Sequence, residues 1–377
     1  MTNPLRVALL AAMLLTVALS APRAQPTSPD SGAAEAPLRL AVAGMVHGHV
    51  HGFLSARPYE GVRVVGVAEA DTALLRRRAD QYNVGPDRRY ADLDTMLTET
   101  RPDALVTFTH TYGHRRVVET AARYGVDVMV EKPLAVNMEH ARAIQSAART
   151  HDIDVLVNYE TTWYPSTQRA FDLARTQERL GPLRKVIVRD GHRGPKEIGV
   201  GPAFLEWLTD PTLNGGGALT DFGCYGANLM TRLMGGERPL TVTAVTQQLK
   251  SDSTYRRVDD VATILLTYPG AQGIIQASWN WPFSRKDMSI YGREGVLHAD
   301  NATRMRVRTR EAGTQQFTLE SQPPFYESAV PYLKRVVRGE IEPDGLSALP
   351  NNMIVTEILD AARRSARTGT TVRLQAE

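Results

Sequence analysis

From Leu38 onward, short runs of β-branched and aliphatic residues alternate with stretches whose apolar residues recur at helical spacing, and no other feature restricts the fold as much. The runs Leu38–Ala43, Val62–Ala68, Ala104–Thr109, Asp127–Glu131 and Asp154–Asn158 read as strands. Between them Leu74–Tyr82, Asp92–Glu99, Arg115–Tyr124 and Met138–Arg149 read as helices, the last two with Arg and Glu opposite the apolar stripe. Successive parallel strands need a crossover, and a helix is the usual one. The alternation therefore predicts an α/β domain with a parallel, doubly wound, Rossmann-like sheet. Gly125 follows Tyr124, where a left-handed cap would turn the chain into the next strand.

After Asn158 the rhythm changes. One helical stretch, Ser166–Thr176, precedes longer β-type runs at Leu183–Val188, Thr241–Leu249, Ala262–Tyr268, Gly273–Ser278 and Met288–Tyr291. Their close succession predicts an α+β second domain with a large, mostly antiparallel, open-faced sheet. Two helices, Tyr326–Arg338 and Ser347–Ala366, and a short strand-like Thr371–Leu374 complete it. A chain of 377 residues is long enough for two such cores.

Ahead of both lies Val7–Leu19, a nearly unbroken apolar run of 13 residues behind Arg6, shorter than the roughly 20 residues of a membrane-spanning helix. It reads as the core of a secretory signal, with small residues Ala18, Ser20, Ala21 and Ala24 allowing cleavage after Ser20 or Ala24. Residues 25–37, rich in Pro, Ser and Ala, read as a tether. The expected organisation is thus a signal peptide (1–24), a flexible linker (25–37), a dinucleotide-binding domain (38–158) and a domain for substrate binding and oligomerisation (159–377). No lipid-acceptor cysteine or Arg-Arg pair accompanies the signal, so the expected product is exported, periplasmic or extracellular, without an integral membrane domain after cleavage. The single cysteine, Cys224, rules out an intrachain disulfide and reads as a packed small residue. Forty-four basic and 41 acidic residues become 42 and 41 once Arg6 and Arg23 are removed, a balance that points away from nucleic acid as a partner.

The first strand runs into Gly44-Met-Val-His-Gly-His-Val-His-Gly52, where backbone N–H groups and a following helix start would approach a pyrophosphate. A strict G-x-G-x-x-G fails, with Val46 and His49 where the second and third glycines should be. A turn two residues longer that uses Gly44 and Gly48 would restore the approach. Glu69 ends the second strand 25 residues after Gly44, where a carboxylate would meet an adenosine ribose and repel a 2′-phosphate, favouring NAD over NADP. His47, His49 and His51 alternate, but alternation along a turn does not place three imidazoles on one face, and no metal site is expected.

The fifth strand ends in Glu131-Lys132-Pro133, and side chains at that end of a parallel strand face the cofactor crevice. A lysine there can hold a sugar hydroxyl and lower the pKa of a neighbouring acid. This tripeptide, some 90 residues beyond a glycine-rich turn, resembles the Gfo/Idh/MocA family of nicotinamide-dependent sugar and polyol oxidoreductases. Further likeness lies in Ala104–Thr109 leading to His114, in Trp207-Leu-Thr-Asp-Pro211, and in Gly215-Gly-Gly-Ala-Leu-Thr-Asp221-Phe-Gly-Cys-Tyr225. Many members carry histidine where this chain has Tyr225. The segment is more similar to the tyrosine branch, which includes glucose-fructose oxidoreductase and dihydrodiol or pentose dehydrogenases.

The resemblance implies cofactor contacts from Val46, His47, Thr109, His114 and Glu131 beside Gly44, Gly48, Glu69 and Lys132. It also implies a catalytic set of Lys132, Asp221 and Tyr225. Four residues apart at a helix start, Asp221 and Tyr225 would share a helical face. A free phenol is a poor base at neutral pH, so Tyr225 would need Lys132 to stabilise its phenolate while Asp221 orients substrate hydroxyls. His192, Tyr159 and Trp163 are further candidates for substrate contact, the two aromatics because rings stack on sugars and because family members use the stretch after the sixth strand.

The expected activity is hydride transfer between a carbohydrate and NAD by an exported enzyme. Free nicotinamide is scarce outside the cytoplasm, so the cofactor is expected to stay bound. A glycosidase working through transient oxidation and elimination, or a non-catalytic sugar or nucleotide sensor, are the alternatives. Relatives pair their sheets, which implies a homo-oligomer.

Overall fold

Residues 36–374 are described by a computed structural model. The expected signal peptide and nearly all of the expected linker lie outside them. The first half contains β1 (Leu38–Ala43), α1 (Val50–Ser55), β2 (Val62–Ala68), α2 (Thr72–Gln81), β3 (Arg89–Tyr90), α3 (Leu93–Thr100), β4 (Ala104–Thr107), α4 (His114–Arg123), β5 (Asp127–Glu131), α5 (Met138–His151) and β6 (Val155–Asn158). Its six strands are all parallel, in the order β3-β2-β1-β4-β5-β6. Order reverses between β1 and β4, so the crevice at their carboxyl ends is where such a sheet takes a ligand. β1 is central, and Leu40, Ala41 and Val42 are fully buried, as a strand covered on both faces requires. Side-chain caps start the helices: Asp71 accepts from the Ala73 and Leu74 amides, Asp92 from Thr95 and Asn137 from His140.

The chain continues through α6 (Pro165–Phe171), β7 (Leu183–Gly191), α7 (Pro202–Leu208), α8 (Pro211–Asn214), α9 (Ala218–Asp221), α10 (Gly223–Leu233), β8 (Thr241–Gln247), β9 (Val261–Thr267), β10 (Gln272–Ser278), β11 (Arg285–Gly292), β12 (Gly295–Ala299), β13 (Arg304–Thr309), β14 (Gly313–Thr318), α11 (Phe325–Val337), α12 (Leu349–Thr368) and β15 (Val372–Arg373). The second sheet runs β14-β13-β12-β11-β7-β10-β9-β8-β15, and only β7 and β10 pair in parallel among the described residues. The mostly antiparallel sheet is as expected, and β12 to β14 extend it. Helix α10 lies tightly on it: a Cβ on Gly226 would sit 2.5 Å from Ile275.

The boundary expected at residue 158 marks the change of sheet but not the limit of the first core. Ala329, Val330, Leu333 and Val336 of α11 pack with Phe53, Leu54 and Val106 of the first half. Ala348, just before α12, bridges to Leu156 of β6. The two halves are thus sewn together by the C-terminal helices. Among the described residues, no helix is long and apolar enough to cross a membrane.

Candidate active site

Gly44 leaves β1 at φ +82°, and a Cβ there would lie 2.5 Å from the Thr109 side chain and 2.7 Å from its backbone nitrogen. Only glycine fits this approach of the first turn to the end of β4. The Met45 amide donates to Glu69 Oε2 (2.8 Å), and the Asp71 amide donates to Glu69 Oε1 (3.0 Å). Glu69 therefore ties the turn to the end of β2 and keeps lone pairs free for hydroxyl donors, while Asp71 caps α2. A cleft of about 580 Å³ opens here, lined by Gly44, Val46, Glu69, Thr109 and Arg116 among others. Val46 also lines a second cleft of about 570 Å³ that holds Lys132, His192, Asp221, Tyr225 and Lys286. Two clefts meeting at the turn suit an extended two-headed ligand, and a carboxylate at the far end suits a ribose diol. The residues present fit a dinucleotide.

The rest of the turn departs from expectation. Gly48 faces Phe204 of α7 at an ordinary 3.6 Å, so no close approach demands glycine there. The histidines part company: His51 bonds the Tyr82 hydroxyl, whereas the His47 and His49 rings come within 4.4 Å of each other. His49 adopts helical angles (φ −66°, ψ −18°), which folds the chain tightly enough for residues two apart to converge. One ring nitrogen from each and a Glu131 carboxylate oxygen lie within 4.8 Å of one another. As expected, the three imidazoles do not share one face, but two of them come together with a carboxylate.

At the end of β5, the Lys132 ammonium pairs with Asp221 Oδ1 and donates to the Asp221 carbonyl at 3.1 Å. The second carboxylate oxygen accepts from Trp279 Nε1 at 3.0 Å. Burial alone would neutralise both groups, but their mutual attraction prevails, holding Asp221 below and Lys132 above its ordinary pKa. Lys132 Nζ lies 5.4 Å from the centre of the Tyr225 ring, and Lys286 Nζ, paired with Glu160, lies 4.6 Å from it. Both ammonium groups are already matched to carboxylates. Burial, with Glu160, Cys224, Asp221 and Asp190 adding to it, pushes the Tyr225 phenol well above its ordinary value. Where a phenolate was expected beside Lys132, the Tyr225 phenol is held above its ordinary pKa, and the carboxylate that pairs with Lys132 is Asp221. The shared helical face is corrected too, because Asp221 ends α9 and the chain breaks at Phe222 before α10 carries Tyr225.

Cys224 is buried, donates its thiol to the Asp221 carbonyl at 3.3 Å and is pushed up to about 12 by burial, which leaves it unreactive. His192 lines the cleft as expected. Its Nδ1 accepts from the Gly194 amide (2.9 Å), and burial, opposed by Asp221, pulls its pKa down to about 4. Thr109 lines the Glu69 cleft as expected. His114 does not face either cleft: it is buried against the Leu134 carbonyl at 3.2 Å. Tyr159 and Trp163 do not line the Lys132 cleft either. Tyr159 is fully buried, edge-on to Tyr225, and Trp163 turns away to donate to Asn158 Oδ1 (2.9 Å) and pack on Tyr332. The cleft residue of that stretch is Glu160.

Sequence reasoning missed Lys286, Glu160 and Trp279. Lys286 and Trp279 sit on or beside strands with no motif around them, and only the folding of β10 and β11 beside β7 brings Trp279 to Asp221 and Lys286 to Tyr225.

Comparison with known proteins follows the same division. Residues 38–159 match a family model described as an oxidoreductase family with an NAD-binding Rossmann fold, and residues 173–298 match the GFO/IDH/MocA C-terminal domain. The chain is similar to D-apiose dehydrogenase of Paraburkholderia graminis, 26% identical over 87% of this chain and 86% of that one. It is also similar to trans-1,2-dihydrobenzene-1,2-diol dehydrogenase of Sus scrofa, 26% identical over 67% of this chain and 71% of that one. Among solved structures it shares its fold with an inositol dehydrogenase homolog from Azotobacter vinelandii complexed with NAD+ (TM-score 0.78, 18% identity, 90% and 98% coverage). The aldose-aldose oxidoreductase of Caulobacter crescentus, complexed with glycerol, is alike in fold (TM-score 0.76, 24% identity, 90% and 100% coverage).

Proposed function

Because the chain belongs to the Gfo/Idh/MocA family of oxidoreductases, we propose that it moves hydride between NAD and a carbinol carbon of a sugar, sugar derivative or polyol. The observation that carries this reading is the meeting of the Gly44–Glu69 cleft and the Lys132–Asp221 cleft at Val46. NAD, when bound, supplies the hydride donor or acceptor. Gly44 and Glu69 would hold its adenosine end, and the Glu69 carboxylate disfavours the extra phosphate of NADP.

Lys132, fixed by Asp221, presents a permanent positive charge to the oxygen of the reacting carbon. Tyr225 stays protonated at neutral pH, so in the reducing direction its hydroxyl is loaded with the proton that a carbonyl oxygen must receive. In the oxidising direction that proton has to leave before the phenol can accept one from the carbinol, and oxidation gains from rising pH. His192 is neutral, and with Nδ1 accepting from Gly194 its Nε2 carries the proton and can donate to a substrate hydroxyl. The charged and polar side chains in the cleft, such as Lys132, Asp221, His192 and Lys286, and the likeness to a D-apiose dehydrogenase support a carbohydrate substrate.

The apolar run Val7–Leu19 supports export, and export favours a cofactor retained through turnover. Half-exposed Ile187, Leu265 and Ile274 on the open face of the second sheet support self-association. The test is to purify the exported protein, denature it, assay the supernatant for released nicotinamide nucleotide, and offer the native protein a panel of aldoses and polyols. Released NAD or NADH with turnover of a panel member is the expected result. A protein that carries no nucleotide, binds none when supplied and turns over nothing overturns the proposal.

A further inference from the structure

Asp221, the carboxylate that meets Lys132, is the last residue of α9, and α9 is only four residues long. Helices shorter than about 12–15 residues do not hold themselves together in water, so the end of α9 is set by what grips its start. Its N-cap is Gly217, which has no side-chain oxygen to offer the first amides. The oxygens come instead from Asp259, 42 residues beyond Gly217 and just ahead of β9. Asp259 Oδ1 accepts from the Gly217 amide (3.0 Å), Oδ2 from the Leu219 amide (2.7 Å), and the Asp259 carbonyl from the Ala218 amide (2.9 Å). A Cβ on Gly217 would lie 1.9 Å from that carbonyl oxygen, so the grip requires glycine there. The turn then closes directly onto the site: the Asp221 amide donates to the Gly217 carbonyl and the Phe222 amide to the Ala218 carbonyl, both at 3.0 Å. The next residue, Asp260, is fully buried, and its carbonyl accepts from the Trp279 amide at 2.8 Å. Trp279 is the residue whose indole holds the second oxygen of Asp221. Two neighbouring residues thus hold α9 and the far partner of its carboxylate against one another.

We propose that Asp259 is a positioning residue for the Lys132–Asp221 pair: by gripping three successive amides it sets where α9 ends, and so where the carboxylate meets the ammonium. Lys132 Nζ engages both the carboxylate and the carbonyl of Asp221, so a small shift of α9 loosens two bonds at once. Among the described residues no hydrogen bond joins Asp259 to Lys132, and the effect of one on the other passes through α9. A carboxylate suits this place better than an amide, because both of its oxygens accept and a charged acceptor holds an N–H more strongly. The consequence for catalysis rests on the hydride-transfer reading of Lys132, whereas the consequence for the ion pair does not.

A double-mutant cycle of urea unfolding on the full-length protein at pH 7 reads the ion pair without any substrate. Asp259→Asn leaves a single acceptor and turns an NH2 group towards a backbone N–H. Its effect on the unfolding constant should be at least about fivefold smaller in the Lys132→Met background than in the parent, where the pair is still there to be lost. Asp92→Ala, which removes the side-chain cap of α3, should be additive with Lys132→Met. If Asp259→Asn does not fold, Asp259→Glu, which carries both oxygens one methylene further out, takes its place in the cycle. In a parent that turns over a panel sugar, Asp259→Asn should also lower kcat by about tenfold or more with NADH affinity unchanged. Strict additivity of the Asp259 and Lys132 substitutions overturns the proposal, and so does an unchanged kcat. A parent without turnover counts against hydride transfer alone, and the cycle then decides.

Discussion

Replacing Lys132 by Met keeps an apolar stem of similar length and removes one charge from a buried pair. Asp221 then retains only the Trp279 indole on Oδ2, and Oδ1 faces a low-dielectric cleft with nothing to match it. Breaking a buried pair from one side costs about 3–5 kcal/mol. The surviving charged hydrogen bond, itself worth about 1.5–3 kcal/mol, places the loss near the lower end, at about 3 kcal/mol. Replacing both partners, Lys132→Met with Asp221→Asn, removes the stranded charge and should recover about 2 kcal/mol of that loss. The sign of the pH dependence follows. In the native protein the Asp221 pKa is depressed, so its contribution is present above the unfolded value of about 3.9 and fades below it. In the Met variant burial outweighs the remaining Trp279 bond, the carboxyl is raised, and its penalty grows as pH climbs above about 3.9. The gap between the two proteins should therefore be widest at neutral pH and narrow toward pH 4. Urea unfolding of both single variants and the double variant at several pH values measures it. A Met variant as stable as the parent at pH 7, or strictly additive single variants, would refute the reasoning.

Three further outcomes follow from the same geometry. Tyr225→Phe should lower kcat by about 10²–10⁴-fold with nucleotide affinity unchanged, and oxidation by the parent should accelerate as pH rises through the alkaline range; a pH-independent oxidation rate counts against a protonated Tyr225. Gly44→Ala, which forces a Cβ into Thr109 at φ +82°, should cost about 1–3 kcal/mol of stability and weaken nucleotide binding, read by thermal melts and titration; an unaffected protein contradicts the tight turn. Burial pulls the His114 pKa down to about 4, so between about pH 6.5 and 4 the unfolded chain takes up a proton that the folded one refuses. Stability should fall across that window by about 3 kcal/mol in total. His114→Asn should flatten the slope, and an unchanged slope in that variant removes His114 from the account.

Much of the fold was legible because its central strands are covered on both faces. β1, β2 and β5 read to the residue from short, mostly apolar runs, and the spacing of Gly44, Glu69 and Lys132 carried the crevice with them. β14 offered no such signal: Gly313–Thr318 is exposed on almost every residue, and its pairing with β13 supplies the order that its own pattern lacks. At the site, Lys132, Asp221 and Tyr225 were expected to meet, but not that Asp221 takes the charge of Lys132. Which carboxylate Lys132 meets depends on where α9 ends against Trp279, and nothing within a few residues of either encodes that. Trp163 misled because a ring that stacks on a sugar and a ring that fills a core are the same residue. His47 and His49 misled in the opposite sense, since a tight turn brings together side chains that a regular element would separate.

The central claim, that the Gly44–Glu69 turn holds NAD against Lys132, is tested most directly by titrating NADH and NADPH separately into the full-length protein cleared of any retained nucleotide, following intrinsic fluorescence. The account predicts that NADH binds at least about tenfold tighter than NADPH, equivalent to about 1.4 kcal/mol, and that Glu69→Gln narrows the difference. Binding of neither nucleotide, or a preference for NADPH that Glu69→Gln does not alter, would contradict it.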